Sequence, residues 1–111
     1  MASIKVIVSD PWDFITEKTN TNILYGTILL VEDDLEKILV ELDHITEYKQ
    51  IKFRKIVCSA RYVGQKFNLH ESADQPCAVI GVPEKVFDQN NPFLYNFHLM
   101  VNLLGSFEIM E

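Results

Sequence analysis

Leu35-Glu36-Lys37-Ile38-Leu39-Val40-Glu41-Leu42-Asp43-His44-Ile45, residues 35–45, admits two readings, and the fold turns on the choice. As a helix, it places Leu35, Ile38, Leu39, Leu42 and Ile45 on one face, with Asp33 or Asp34 as the cap. As a strand, it turns Ile38, Val40 and Leu42 the same way. Charge favours the strand. Residues 32–47 carry seven acids and one base, Lys37, whereas residues 49–66 carry six bases and no acid. Antiparallel neighbours would set these opposite charges across from one another, with Glu41 and Asp43 near Lys52, Arg54 or Lys55.

The basic stretch itself reads as strand over residues 51–63. Ile51 and Phe53 keep one phase, while Ile56, Cys58, Ala60 and Tyr62 keep the other. The slip near Arg54-Lys55 predicts a bulge or a bend. Upstream, residues 23–31 are rich in β-formers and suit a largely buried strand, in which Gly26 allows a bulge or a close backbone contact. Residues 4–9 alternate, Ile4, Val6 and Val8 against Lys5, Ile7 and Ser9, and also predict a strand. Asp10-Pro11 breaks it, and residues 16–22 read as a polar loop. Downstream, 65–76 is a polar loop, and Cys77 to Val82 is an apolar strand stopped by Pro83.

The tail carries a second ambiguity. Asn91-Pro92 marks a helix start and Gly105 a helix stop, so residues 93–104 predict a helix. The same residues also alternate, but twelve residues is long for a strand. Ser106 to Met110 would add a last short strand. The whole predicts a mainly β protein, a small barrel or rolled antiparallel sheet of five to six strands with a C-terminal helix. The alternative is α+β, with 34–46 as a second helix.

The 111 residues suit a single globular domain spanning 1–111, able to bury roughly 65% of its unfolded surface. No export signal is visible, and no apolar run approaches the ~20 residues of a membrane helix, which predicts a soluble, cytoplasmic protein. Cys58 and Cys77 sit in apolar stretches and read as reduced, buried thiols. A net charge of −6 argues against nucleic acid as the main partner and is compatible with a basic protein partner.

Sites are few. Thr27-Ile28-Leu29-Leu30-Val31-Glu32-Asp33-Asp34-Leu35 resembles the opening of a bacterial response-regulator receiver, which implies a magnesium ion at the acidic pair beside a phosphorylated aspartate. The remainder departs from that family: Asp74 follows the polar run Leu69-His70-Glu71-Ser72-Ala73, and Pro83-Glu84-Lys85 has the Lys-Pro order reversed. Asp10-Pro11-Trp12-Asp13-Phe14 offers a tryptophan anchor between two aspartates, or else a plug for the core. Arg61 and Tyr62 offer a guanidinium and a ring for a carboxylate or phosphate, or else a strand-end pair packing together before a turn at Gly64. These five residues, Asp10, Trp12, Asp13, Arg61 and Tyr62, are the candidate binding set.

No metal spacing links His44, His70 and His98, no glycine-rich phosphate loop is present, and no cofactor is expected. An enzyme would have to assemble Asp10, Asp13, Arg61 and His70 in one cleft. The reading is therefore a non-enzymatic protein-binding module, such as an inhibitor or immunity-type protein neutralising a basic partner. A small-ligand-binding barrel and an enzyme with an acid/base site are the alternatives.

Overall fold

In the computed structural model, which describes residues 2–9, 14–17, 19–93 and 101–110, the deciding stretch is a strand from Lys37 onward, with Leu35 and Glu36 in the preceding turn. Eight strands follow in chain order: β1 (Ser3–Val8), β2 (Phe14–Thr16), β3 (Thr19–Thr21), β4 (Ile23–Val31), β5 (Lys37–Tyr48), β6 (Ile51–Ser59), β7 (Gln75–Val82) and β8 (Val101–Met110). β1, β4, β5, β6, β7 and β8 pair in that order, all antiparallel, and β5 is bonded to β6 as β8 is to β1, which closes a six-stranded barrel. The small β2–β3 hairpin extends the sheet from the far half of β5. Mainly β architecture is thus as expected, and the α+β alternative is excluded by β5.

Opposite charges stand across from one another on β5 and β6, and Glu41 pairs with Arg54, but the Asp43 carboxylate forms no ion pair among the described residues. Glu41 stands opposite Lys55 and Glu47 opposite Lys52. The phase slip is also present, but the extra residues lie on β5. Glu41 pairs with Lys55 and Thr46 with Phe53, so five steps on β5 answer two on β6, and Asp43, His44 and Ile45 are pushed out to solvent. Arg54 occupies the irregularity. Its Nε donates to the Leu42 carbonyl at 3.0 Å, its Nη2 to the Asp43 carbonyl at 3.4 Å, and its Nε lies 3.8 Å from Glu41. One long side chain therefore satisfies carbonyls that the bulge removes from the ladder.

Inward-facing residues fill the barrel. Ile4, Val6 and Val8 of β1 meet Val40 and Leu42 of β5, Ile56 and Cys58 of β6, and Phe107 and Ile109 of β8. Phe14 lies 5.7 Å from Tyr48 and 5.9 Å from Phe53, filling the end near the β5–β6 turn. Phe67 lies 4.8 Å from Phe107 and closes the other end. Each such fully buried side chain contributes ~1.5–3 kcal/mol.

A second, smaller core lies outside the wall. Leu39, Val57 and Ile80 form one row across β5, β6 and β7, with Val82 beside it, and Val86, Phe87 and Phe93 pack over them. This explains why β5, β6 and β7 read as near-continuous apolar runs: their middles are buried on both faces.

Two expectations are corrected. The C-terminal helix is not found. Val101–Met110 is one strand, pairing with β1 and β7, Phe93 sits in a turn, and the rest of the expected helix, 94–100, lies outside the described residues. Gly105 does not stop a helix; it lies against β1, with no room for a side chain beside Ile7. Residues 16–22, expected as a loop, contain most of the β2–β3 hairpin; Thr and Asn at an exposed edge make a strand with no apolar face to betray it.

Candidate functional site

Asp10, Trp12 and Asp13 lie outside the described residues. Arg61 and Tyr62 lie in the 60–74 connection between β6 and β7, which folds over the end of the barrel closed by Phe67. That end is built from two loops locked to each other.

The first is the β4–β5 turn. The Leu35 N–H donates to the Glu32 carbonyl at 2.9 Å, and the Glu32 N–H donates to the Lys37 carbonyl at 3.0 Å. Leu35 has φ 60, a left-handed conformation that a leucine adopts only under constraint. The constraint is the second loop: Phe67 N–H donates to the Leu35 carbonyl and Ala60 N–H to the Glu36 carbonyl, both at 2.8 Å. Lys66 adds an ion pair to Glu36 at 3.8 Å.

Two glutamines hold the 60–74 loop in shape. Gln65 accepts from the Arg61 and Tyr62 N–H groups at 2.9 and 3.2 Å and donates to the Pro76 carbonyl at 2.7 Å. Gln75 exchanges two bonds of 2.7 Å with the Asn68 backbone. Gly64, with φ 79, makes the turn. Arg61 packs beside Tyr62, its guanidinium 5.5 Å from the ring centre, and donates to the Gly105 carbonyl at 3.4 Å. That is the strand-end arrangement, and it leaves Tyr62 59% exposed.

The result is an end face with three exposed apolar side chains, Leu35, Tyr62 and Val63. The same two loops carry Glu32, Asp33, Asp34, Glu36, Glu71 and Asp74, against the bases Lys37, Arg61 and Lys66. The Glu36 N–H donates to Asp34 at 3.0 Å and holds the Asp34 carboxyl below its ordinary value. Partial burial, with a hydrogen bond shared with Asp34, pushes Glu32 the other way.

Among the described residues no three His, Cys, Asp or Glu side chains are grouped to hold a metal. The response-regulator resemblance stops at the local pattern, since Thr27–Leu35 forms one arm and the turn of an antiparallel hairpin rather than a strand of a parallel sheet. His70 is exposed, its N–H bonded to Asn68. The barrel interior, where a small ligand would sit, is occupied by Phe14, Phe53, Phe67 and Phe107. Among the described residues no helix is long and apolar enough to cross a membrane.

Leu35 and the two glutamines are the parts of this site that sequence reasoning missed. Nothing in the chain marks a leucine for a left-handed position, and each glutamine acts through side-chain bonds to backbone groups 3 to 11 residues away, which leave no periodic signal. Comparison with family models, curated proteins and solved structures finds no match.

Proposed function

We propose that this chain is a non-enzymatic protein-binding module that engages a basic partner through the two-loop end of its barrel. The observation that carries the reading is that two loops bonded to each other at this end expose Leu35, Tyr62 and Val63 and carry six acids against the bases Lys37, Arg61 and Lys66. Apolar centres bounded by charge suit a protein interface, where the centre supplies affinity and the rim supplies rate and choice of partner. Pinned loops lose little freedom on binding, which favours affinity. An inhibitor of the immunity type, neutralising a basic protein, is the form of module these features fit best. Nucleic acid and anionic membrane surfaces fit poorly with a net charge of −6.

The test is capture of partners from native lysate on the immobilised chain, alongside Tyr62→Ala/Val63→Ser and Asp33→Asn/Asp34→Asn variants. The reading expects a partner with a basic surface, lost with the first variant and bound with slower association and weaker salt dependence by the second. A partner retained equally by both variants places its contact elsewhere and refutes it.

A further inference from the structure

Neighbouring antiparallel strands need only two to five residues between them. β7 and β8 are neighbours, yet residues 83–100 separate them. The described part of this connection, 83–93, runs across the outside of the wall. Val86, Phe87 and Phe93, each half-buried, rest on Leu39, Val57, Ile80 and Val82, which are at most 4% exposed. The segment is thus a strap laid over an apolar stripe.

Its hydrogen bonds are its own. Val86 and Phe87 N–H donate to the Pro83 carbonyl at 2.9 and 3.1 Å, and Asn91 N–H donates to the Asp88 carbonyl at 3.1 Å. The Asp88 carboxylate accepts from Asn90 N–H at 2.9 Å and from the Asn91 amide at 3.4 Å. Among the described residues, no hydrogen bond joins 84–93 to the barrel. Apolar contact and the Lys55 ammonium, 4.9 Å from the Phe87 ring centre, hold it down. Open clefts flank it on both sides. One, of about 460 Å³, lies between Phe87 and Pro92 and the leucines Leu29, Leu30 and Leu39. The other, of about 850 Å³, lies between Val86 and the pair Ile51 and Lys52. Lifting the strap would break no ladder bond and would bare a row of aliphatic side chains on three strands.

We infer that 83–93 is a displaceable occupant of a docking stripe, which receives from a partner a short segment of the strap's own kind: apolar anchors with an adjacent carboxylate. The strap, with Phe87 next to Asp88 and Phe93 beyond, is the template for that segment. Lys52 and Lys55, which stay on the wall when the strap lifts, line the flanking clefts and favour the carboxylate. This surface is separate from the two-loop end, opposite in charge preference, and independent of the function proposed for that end.

The probe is a fluorescently labelled peptide of residues 83–93, titrated into the full chain and into a Phe87→Ala/Phe93→Ala variant and followed by anisotropy. The tethered strap competes at an effective concentration near millimolar, so the wild type should bind the peptide weakly. The variant, its own strap disabled, should bind at least ten-fold more tightly, and a peptide with both phenylalanines replaced by alanine should bind neither. Equal affinity for the two chains, no binding to the folded variant, or a variant that cannot fold overturns the inference. Hydrogen exchange on the wild type is the second measurement. The amides of Val86, Phe87 and Asn91 should exchange far faster than those of β6 and β7; equal protection would show a strap that opens only when the barrel does.

Discussion

Gly105 lies so close to Ile7 across the β1–β8 pair that a β-carbon on it would strike the Ile7 carbonyl oxygen. Gly26 stands in the same relation to the Glu41 carbonyl across β4 and β5. Space, rather than a left-handed backbone, demands glycine at both positions. Gly105→Ala and Gly26→Ala should each destabilise the barrel by ~1–3 kcal/mol, because two paired backbones would have to separate. Thermal melts should show this as a fall of about 4 °C per kcal/mol. Gly64→Ala, where no atom lies within 4 Å and only φ 79 resists, should cost ~1–2 kcal/mol. A Gly105→Ala protein as stable as wild type would contradict the close approach.

Leu35 should be better for binding than for folding. Its φ of 60 suits asparagine, and its side chain is 39% exposed. Leu35→Asn should therefore raise stability by ~0.5–1 kcal/mol, read by denaturant midpoint, while weakening capture of a basic partner. A destabilised Leu35→Asn protein would show that the leucine contributes more as packing than it loses as strain.

Asp34 gives the pH dependence a sign. Its folded value lies below the ordinary 3.8, chiefly because the Glu36 N–H donates to the carboxylate. Its contribution is fully present above the unfolded value and is lost as pH falls through the lower folded value. Asp34→Asn should accordingly flatten the acid limb of the stability curve below about pH 4. Glu32, shifted upward, acts in the opposite direction and should partly mask the effect until it too is replaced.

Cys58 and Cys77 are free thiols buried in the barrel interior. The neighbouring Cys77 thiol and complete burial push Cys58 well above its ordinary value, so almost no thiolate forms at neutral pH. A thiol reagent at pH 8 should leave the native protein unlabelled and modify both cysteines in denaturant. Rapid labelling of the native state would mean that β6 and β7 open locally.

Arg54 and Glu41 form an ion pair of unequal members. The guanidinium also serves the Leu42 and Asp43 carbonyls, whereas Glu41 has the pair as its described role. Glu41→Gln should cost under ~1 kcal/mol, in a salt-dependent way. Arg54→Met, which leaves the carbonyls to solvent, should cost ~1–2 kcal/mol and persist at high salt. Chemical denaturation at two salt concentrations separates the two effects.

The β5 strand was legible because its charges complement those of β6 and because periodicity and charge agree there. Residues 101–110 were less so. Pro92 and Gly105 are the right residues for a helix start and stop, and nothing local reveals that Gly105 is small on account of Ile7. The β2–β3 hairpin was illegible for a different reason: with two of the three β3 residues exposed it has almost no apolar phase to read. At the two-loop end, Arg61 and Tyr62 stand out by chemistry, but the face depends on bonds between residues 4 to 11 apart, Gln65 to Arg61 and to Pro76, and on a contact between turns. Side-chain reach of that kind leaves no periodic signal.

Every seam of the barrel but one joins strands that follow each other around the wall in chain order. The exception is β1–β8, where Ser3 pairs with Met110. Closing a loop that long carries roughly 2–3 kcal/mol more entropy than closing the β5–β6 turn, where Tyr48 pairs with Ile51. Folding should then zip the meander from β4 to β8 first and shut the barrel last, after most apolar surface is already hidden. Substitutions along that seam, Gly105→Ala among them, would act on the rate of unfolding and leave the rate of folding nearly untouched. The kinetic lifetime of the native protein is in this sense set by one pair of strands, while its rate of formation is set by the four pairs of the β4–β8 meander.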